Sequence, residues 1–139
     1  MFNKEITLNY IKTIVLLALT LTTYNAHAND ISTLKKSLNP WQPIEVSKNK
    51  DTVTVVIDDR QITDTIYDAV INSGVCPNIW TKDVPAKYLE SVKELRILNK
   101  HKAQGYVFEN PLNSCNEMGK EPPEKAKTIM LSNTHLFRN

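Results

Sequence analysis

The chain has 139 residues, 41% of them hydrophobic and 23% charged, with a formal net charge of +2. That is enough for one small domain with a single modest core once a leader is set aside. Basic pairs such as Lys35-Lys36, Lys48 with Lys50 and Lys100 with Lys102 are interspersed with acids. So even a balance excludes the electrostatic footprint of a nucleic-acid or anionic-membrane binder.

Residues 1–28 read as a cleavable secretory signal. Lys4 and Lys12 give a basic start, and Ile14 to Leu21 (IVLLALTL) is a short apolar core. Ala26-His27-Ala28 puts small residues at the two positions a signal peptidase reads. The apolar run is far short of the roughly 20 residues a spanning helix needs, so no membrane span is expected after cleavage. No cysteine lies near the cut, so nothing suggests a lipid anchor. The location implied is the periplasm of a Gram-negative cell or the exterior.

Residues 29–51 are expected as an irregular lead-in. Asn29 to Leu38 can start a short helix, with Leu34 and Leu38 four apart. Asn39-Pro40-Trp41-Gln42-Pro43 ends it, because each proline biases the residue before it to extended geometry. The domain proper, 52–139, opens with the clearest strand, Val53 to Asp58. There Val53, Val55 and Ile57 share one face, and Val56 suggests that the other is partly covered. A helix follows from Thr63, a good N-cap. Ile62 before it and Tyr67 at the fourth helical position can form a hydrophobic staple. Asp64 suits the positive helix start. Ile66, Ala69, Val70 and Ser73 make the expected buried stripe, and Gly74 supplies a left-handed terminal residue.

Cys76-Pro77 then leads into a loop carrying Trp80, and Asp83 is placed to cap a short helix with Pro85 in its first turn. On that helix Tyr88, Leu89 and Val92 share a face. Leu95 and Ile97 alternate with Glu94 and Arg96, which predicts a strand over 93–99. Val92, Leu95 and Leu98 also fit a continued helix. Strand is favoured because Gly105 to Glu109 is a strong strand itself and the polar run Asn99 to Gln104 has the length of a hairpin loop. Tyr106 and Phe108 share a strand face. If the helix covers them, Val107 is the lone outward apolar residue. Pro111 to Pro123 reads as a long loop punctuated by Pro111, Gly119 and Pro122-Pro123. Pro123 opens a final helix to Asn133, with Ala126, Ile129 and Met130 inward, and Leu136 and Phe137 pack as a tail.

Cys76 and Cys115 are the two cysteines of the chain. In an oxidising compartment such a pair is most simply a disulfide. It would close a loop of about 40 residues and contribute on the order of 4 kcal/mol. The rival, a reactive thiolate paired with His101 or His135, needs a free cysteine that the compartment disfavours. The expected fold is therefore a small α+β domain: a three-stranded sheet, helices packed on one face, β-α-β-β-α order and one disulfide.

Catalytic patterns are weak. Asp58, Asp59, Asp64 and Asp68 place four acids within a short span. They are the one candidate for a hard-metal site, yet Arg60 lies among them and no calcium-loop spacing is present. Caps and turns also attract Asp for structural reasons. The histidines lack zinc-ligand spacing, the serines lack a nucleophile elbow, and the glycines form no phosphate cradle. Aromatics carry more weight. Trp80 beside the disulfide, Asn78 near it, the residues of 111–120, and Trp41 between prolines are candidate binding positions, since rigid loop tryptophans serve as anchors as well as core caps. The expectation is a non-catalytic exported binding protein with no cofactor, either an inhibitor or immunity-type protein or an accessory subunit of an envelope assembly. Its partner would be another exported or envelope protein. The alternative is a small envelope hydrolase built on the acidic metal site.

Overall fold

The structure is a computed structural model that describes residues 25–138, with side chains from Asp30 onward. Residues 1–24 of the expected signal lie outside the described residues. The elements are α1 (Asn25–Ser37), β1 (Pro43–Asn49), β2 (Thr52–Ile57), α2 (Asp64–Ala69), β3 (Glu94–Leu98), β4 (Gln104–Glu109), α3 (Pro111–Met118), α4 (Pro123–Ser132) and β5 (Thr134–Arg138). A π-helical segment (Val70–Val75) and one further turn (Pro77–Trp80) prolong α2.

The sheet has five strands in the order β1-β2-β3-β4-β5. This corrects the three-stranded expectation. β2 and β3 run parallel across the α2 crossover, while β1–β2, β3–β4 and β4–β5 are antiparallel. The two missed strands are the edges, and edges bury too little to leave a clear alternation in the sequence. In β1, taken for part of an irregular lead-in, only Val46 is buried. Pro43 is tolerated there as the first residue of an edge strand. Asn49 pairs with Thr52, which leaves Lys50 and Asp51 as a two-residue turn with Lys50 at φ 54°. In β5, expected as a packed tail, no residue is fully buried, yet its register with β4 runs from Gln104↔Arg138 to Phe108↔Thr134. The predicted β3–β4 hairpin is present. Gly105 in it is obligatory, because a Cβ would be driven into the Ile97 carbonyl oxygen.

The core lies on one face of the sheet. Val53, Val55, Ile57, Leu95, Ile97 and Phe108 pack there against Leu34 and Leu38 of α1 and its exit, and against Tyr67, Val70, Ile71 and Val75 of the α2 region. On the opposite face Val56, Leu98 and Val107 are also buried, so Val107 is not a lone outward apolar residue. Lys102 reaches across that face to Glu45, and the Arg96 guanidinium lies 5.6 Å from the Phe137 ring centroid.

Thr63 caps α2, its Oγ1 accepting from Ile66 N at 3.3 Å. The buried stripe differs from expectation: Tyr67, Val70, Ile71, Gly74 and Val75 face inward, while Ser73 is exposed. Tyr67 can be buried because its hydroxyl shares a 2.6 Å hydrogen bond with Thr134. Gly74 is no left-handed terminus either. The helix widens there, Cys76 N donating to Ile71 O at 3.0 Å, and runs on. A Cβ on Gly74 would lie 2.6 Å from Leu38 Cδ2 and 2.9 Å from the Trp41 ring, so this glycine admits the exit of α1.

Two further expectations change. Residues 83–92 form turns, not a helix. Asp83 accepts from Thr81 Oγ1 at 2.6 Å, and Leu89 adopts φ 58°. Tyr88, Leu89 and Val92 are buried all the same. The long loop after β4 contains α3, whose Pro111, Ser114, Cys115 and Met118 are buried at helical spacing. Cys76 and Cys115 are disulfide-bonded, with Cα atoms 5.2 Å apart and a sequence separation of 39, and the bond joins the end of the π segment to α3. Among the described residues no helix is long and apolar enough to cross a membrane.

Candidate functional site: the hollow beside Trp80

Trp80 ends the helical turn that starts directly after Cys76. Its indole Nε1 donates to the carbonyl oxygen of Cys115 at 2.7 Å. One ring edge lies against Gly119, where a Cβ would come within 2.7 Å of Cδ1 and Nε1. The glycine therefore seats the indole against the end of α3. Fixed on that edge, the ring stays 39% exposed. It borders a hollow of about 600 Å³ with Met118, Pro123 and Ala126 as apolar walls and Asp68, Asn72, Glu121 and Lys127 as polar groups.

The polar rim is ordered. Asp68 pairs with Lys127 at 3.3 Å and accepts from Asn72 Nδ2 at 2.9 Å, while Glu121 pairs with Lys125 at 2.9 Å. Asp68 and Lys127 also border a second hollow, of about 780 Å³, which reaches Tyr106, Leu131 and Leu136 near β5. Leu131, Leu136 and Trp80 are three of the four exposed large hydrophobic residues among the described ones. This is a recess with an aromatic anchor and hydrogen-bonding groups at its lip, chemistry suited to holding a partner's side chain.

The other candidate residues fall elsewhere. Trp41 is partly buried and packs against the core across Gly74. Asn78 turns inward beside Tyr88. No well-formed hydrogen bond joins them, and Asn78 Nδ2 and the Tyr88 hydroxyl are both buried without a partner. Burial pushes that hydroxyl up to about 12, partly offset by the Asn78 carboxamide. Of residues 111–120, Met118 and Gly119 border the Trp80 hollow.

The four aspartates do not converge. Asp58 pairs with Lys100 at 3.6 Å, Asp59 is exposed, Asp64 accepts from the Tyr106 hydroxyl, and Asp68 is held by Asn72 and Lys127. Among the described residues no three His, Cys, Asp or Glu side chains are grouped so as to hold a metal. The bond to the Asp64 carboxylate raises the Tyr106 hydroxyl above its ordinary range, with burial adding to it. Burial does the same to Tyr67, which stacks on Tyr106 with ring centroids 4.6 Å apart. His101 is exposed in the hairpin turn, and His135, which borders the second hollow, has its Nδ1 3.0 Å from Glu109.

Asn72, Glu121, Pro123, Ala126 and Lys127 were not singled out from the sequence as site residues, and Asp68 was considered only as a metal ligand. The spacing of Pro111, Ser114, Cys115 and Met118 was the available signal for α3, and no such signal places α4 beside Trp80. No protein family, curated protein or solved structure matches this chain.

Proposed function

We propose that this chain is an exported, disulfide-stapled binding protein that works without catalysis, as an inhibitor or immunity-type protein or as an accessory subunit of an envelope assembly, in the periplasm or outside the cell. Its partner is another exported or envelope protein, held at the Trp80 hollow. The observation that carries this reading is an indole left 39% exposed while its N–H and one edge are tied down by Cys115 and Gly119. An aromatic already held in place loses little conformational freedom on binding, which is why such residues make effective anchors. A disulfide is consistent with an oxidising compartment.

The test uses tagged residues 29–139 as bait in an envelope extract under non-reducing conditions, beside the same bait carrying Trp80→Ala. The expected result is one stoichiometric partner on the first bait and its loss from the second. A blank on both at low salt, or equal retention by both, overturns the assignment.

A further inference from the structure

We infer that the Cys76–Cys115 disulfide is what assembles the Trp80 hollow, so that binding competence is acquired on oxidation; this rests on reading the hollow as the binding site. The two sides of the hollow come from segments 39 residues apart in sequence. Cys76 immediately precedes the turn that ends in Trp80, and Cys115 supplies the carbonyl that accepts the indole N–H at 2.7 Å. Covalent bond and hydrogen bond thus join the same two segments. Met118 and Gly119, which border the hollow, lie one turn beyond Cys115.

The sheet core has other supports. Val53, Val55, Leu95, Ile97 and Phe108 pack against Tyr67, Val70 and Ile71, none of them in the Trp80 turn or in α3. The α3–α4 layer has fewer. Ser114 Oγ donates to Glu109 O at 2.8 Å, and Met130 is the one fully buried residue of α4. Without the bond, α3 and the Trp80 turn are the parts free to separate. Both cysteines are fully buried, so a reductant reaches the closed bond only through an opening of the fold. Formation is the regulated step. Two thiols lose two electrons and two protons and become one S–S bond, while a disulfide-type oxidant takes them up and becomes two thiols. In a reducing compartment the hollow stays open-sided; after oxidation it is closed and stays so.

The test is read on the protein alone. The indole N–H resonance of Trp80, assigned by its loss in Trp80→Phe, is followed by hydrogen exchange in the oxidised chain and in Cys76→Ala/Cys115→Ala. Wild-type chain refolded under a phosphine reductant serves as the second sample, since it keeps both sulfur atoms. Expected is an unchanged far-ultraviolet spectrum, retained protection of the β2 and β3 amides, and loss of protection at the Trp80 indole in the reduced chain. A Trp80 indole that stays protected without the bond overturns the inference. Collapse of the sheet in the reduced wild type overturns it too, because the bond would then hold the core. A failed capture experiment would instead sink the binding assignment and leave this result standing.

Discussion

Trp41 and Trp80 each lie across a glycine that has room for no side chain. A Cβ on Gly74 would stand 2.9 Å from the Trp41 ring, and one on Gly119 would stand 2.7 Å from Trp80. The outcomes differ because of what lies behind each glycine. Behind Gly74 is the main core, with Val70, Ile71 and Val75 buried around it, so Trp41 closes a packed layer. Behind Gly119 is a short helix fastened by a disulfide, and the rim is ionic, so Trp80 is held but not covered. The same local contact serves packing in one place and presentation in the other.

Substitutions at the two glycines should pull that contrast apart. Gly74→Val drives two methyl groups into the fully buried Leu38 and the partly buried Trp41 ring, and overpacking of this kind costs about 3 kcal/mol. A fall in the urea midpoint with an unchanged slope would show it. Gly119→Ala meets only the edge of a half-exposed ring. The expected cost is about 1 kcal/mol, together with a displaced Trp80 indole resonance and weakened partner capture. If Gly119→Ala is the more destabilising of the two, Trp80 is a core residue.

Smaller effects come from titrating groups beyond the two indoles. The Tyr88 hydroxyl is raised to about 12 by burial, beside the turn that carries Trp80. A raised value means its contribution is complete below the ordinary tyrosine range near 10 and is lost as pH climbs from there through about 12. Alkaline titration should therefore weaken the wild type more than Tyr88→Phe. At neutral pH the variant should match wild type within about 1 kcal/mol, since it removes an unpartnered hydroxyl. The smallest effect is expected at Glu45, far from the hollow. Lys102 and then Ser47 hold its carboxyl below the usual range. Its contribution is present above that range and fades as pH falls through the lowered value, so Glu45→Gln should flatten only the acid limb of a stability–pH profile, and only slightly, because the pair is solvent-screened. An acid limb unchanged in the variant would show that the ion pair contributes nothing.

Central elements were legible in the sequence where burial imposes a period. β2 shows its alternation at Val53, Val55 and Ile57. The cap of α2 shows in Thr63 followed by Asp64, and the β3–β4 hairpin shows in two apolar runs around a polar loop. The disulfide followed from having two cysteines. What escaped was where one physical rule outweighs another. The edge strands bury almost nothing, so residues 39–51 read as an irregular lead-in and Leu136 and Phe137 as a packed tail. α3 was masked by the proline and glycine that begin and end it, although both are ordinary at helix termini. Gly74 carries the residue type of a helix stop but serves a close approach that only tertiary structure reveals. Trp80 stood out as a candidate because of the cysteine nearby. The groups that share its hollow, Asp68, Met118 and Lys127, come from three helices whose adjacency no local pattern encodes.

The most direct measurement is urea denaturation of Trp41→Ala and Trp80→Ala side by side. Presentation of Trp80 and packing of Trp41 require a loss of about 3 kcal/mol for Trp41→Ala, typical of truncating a packed aromatic, and about 1 kcal/mol or less for Trp80→Ala. Equal losses, or a Trp80→Ala chain that does not fold, would place Trp80 in the core and remove the anchor on which the proposed binding site depends.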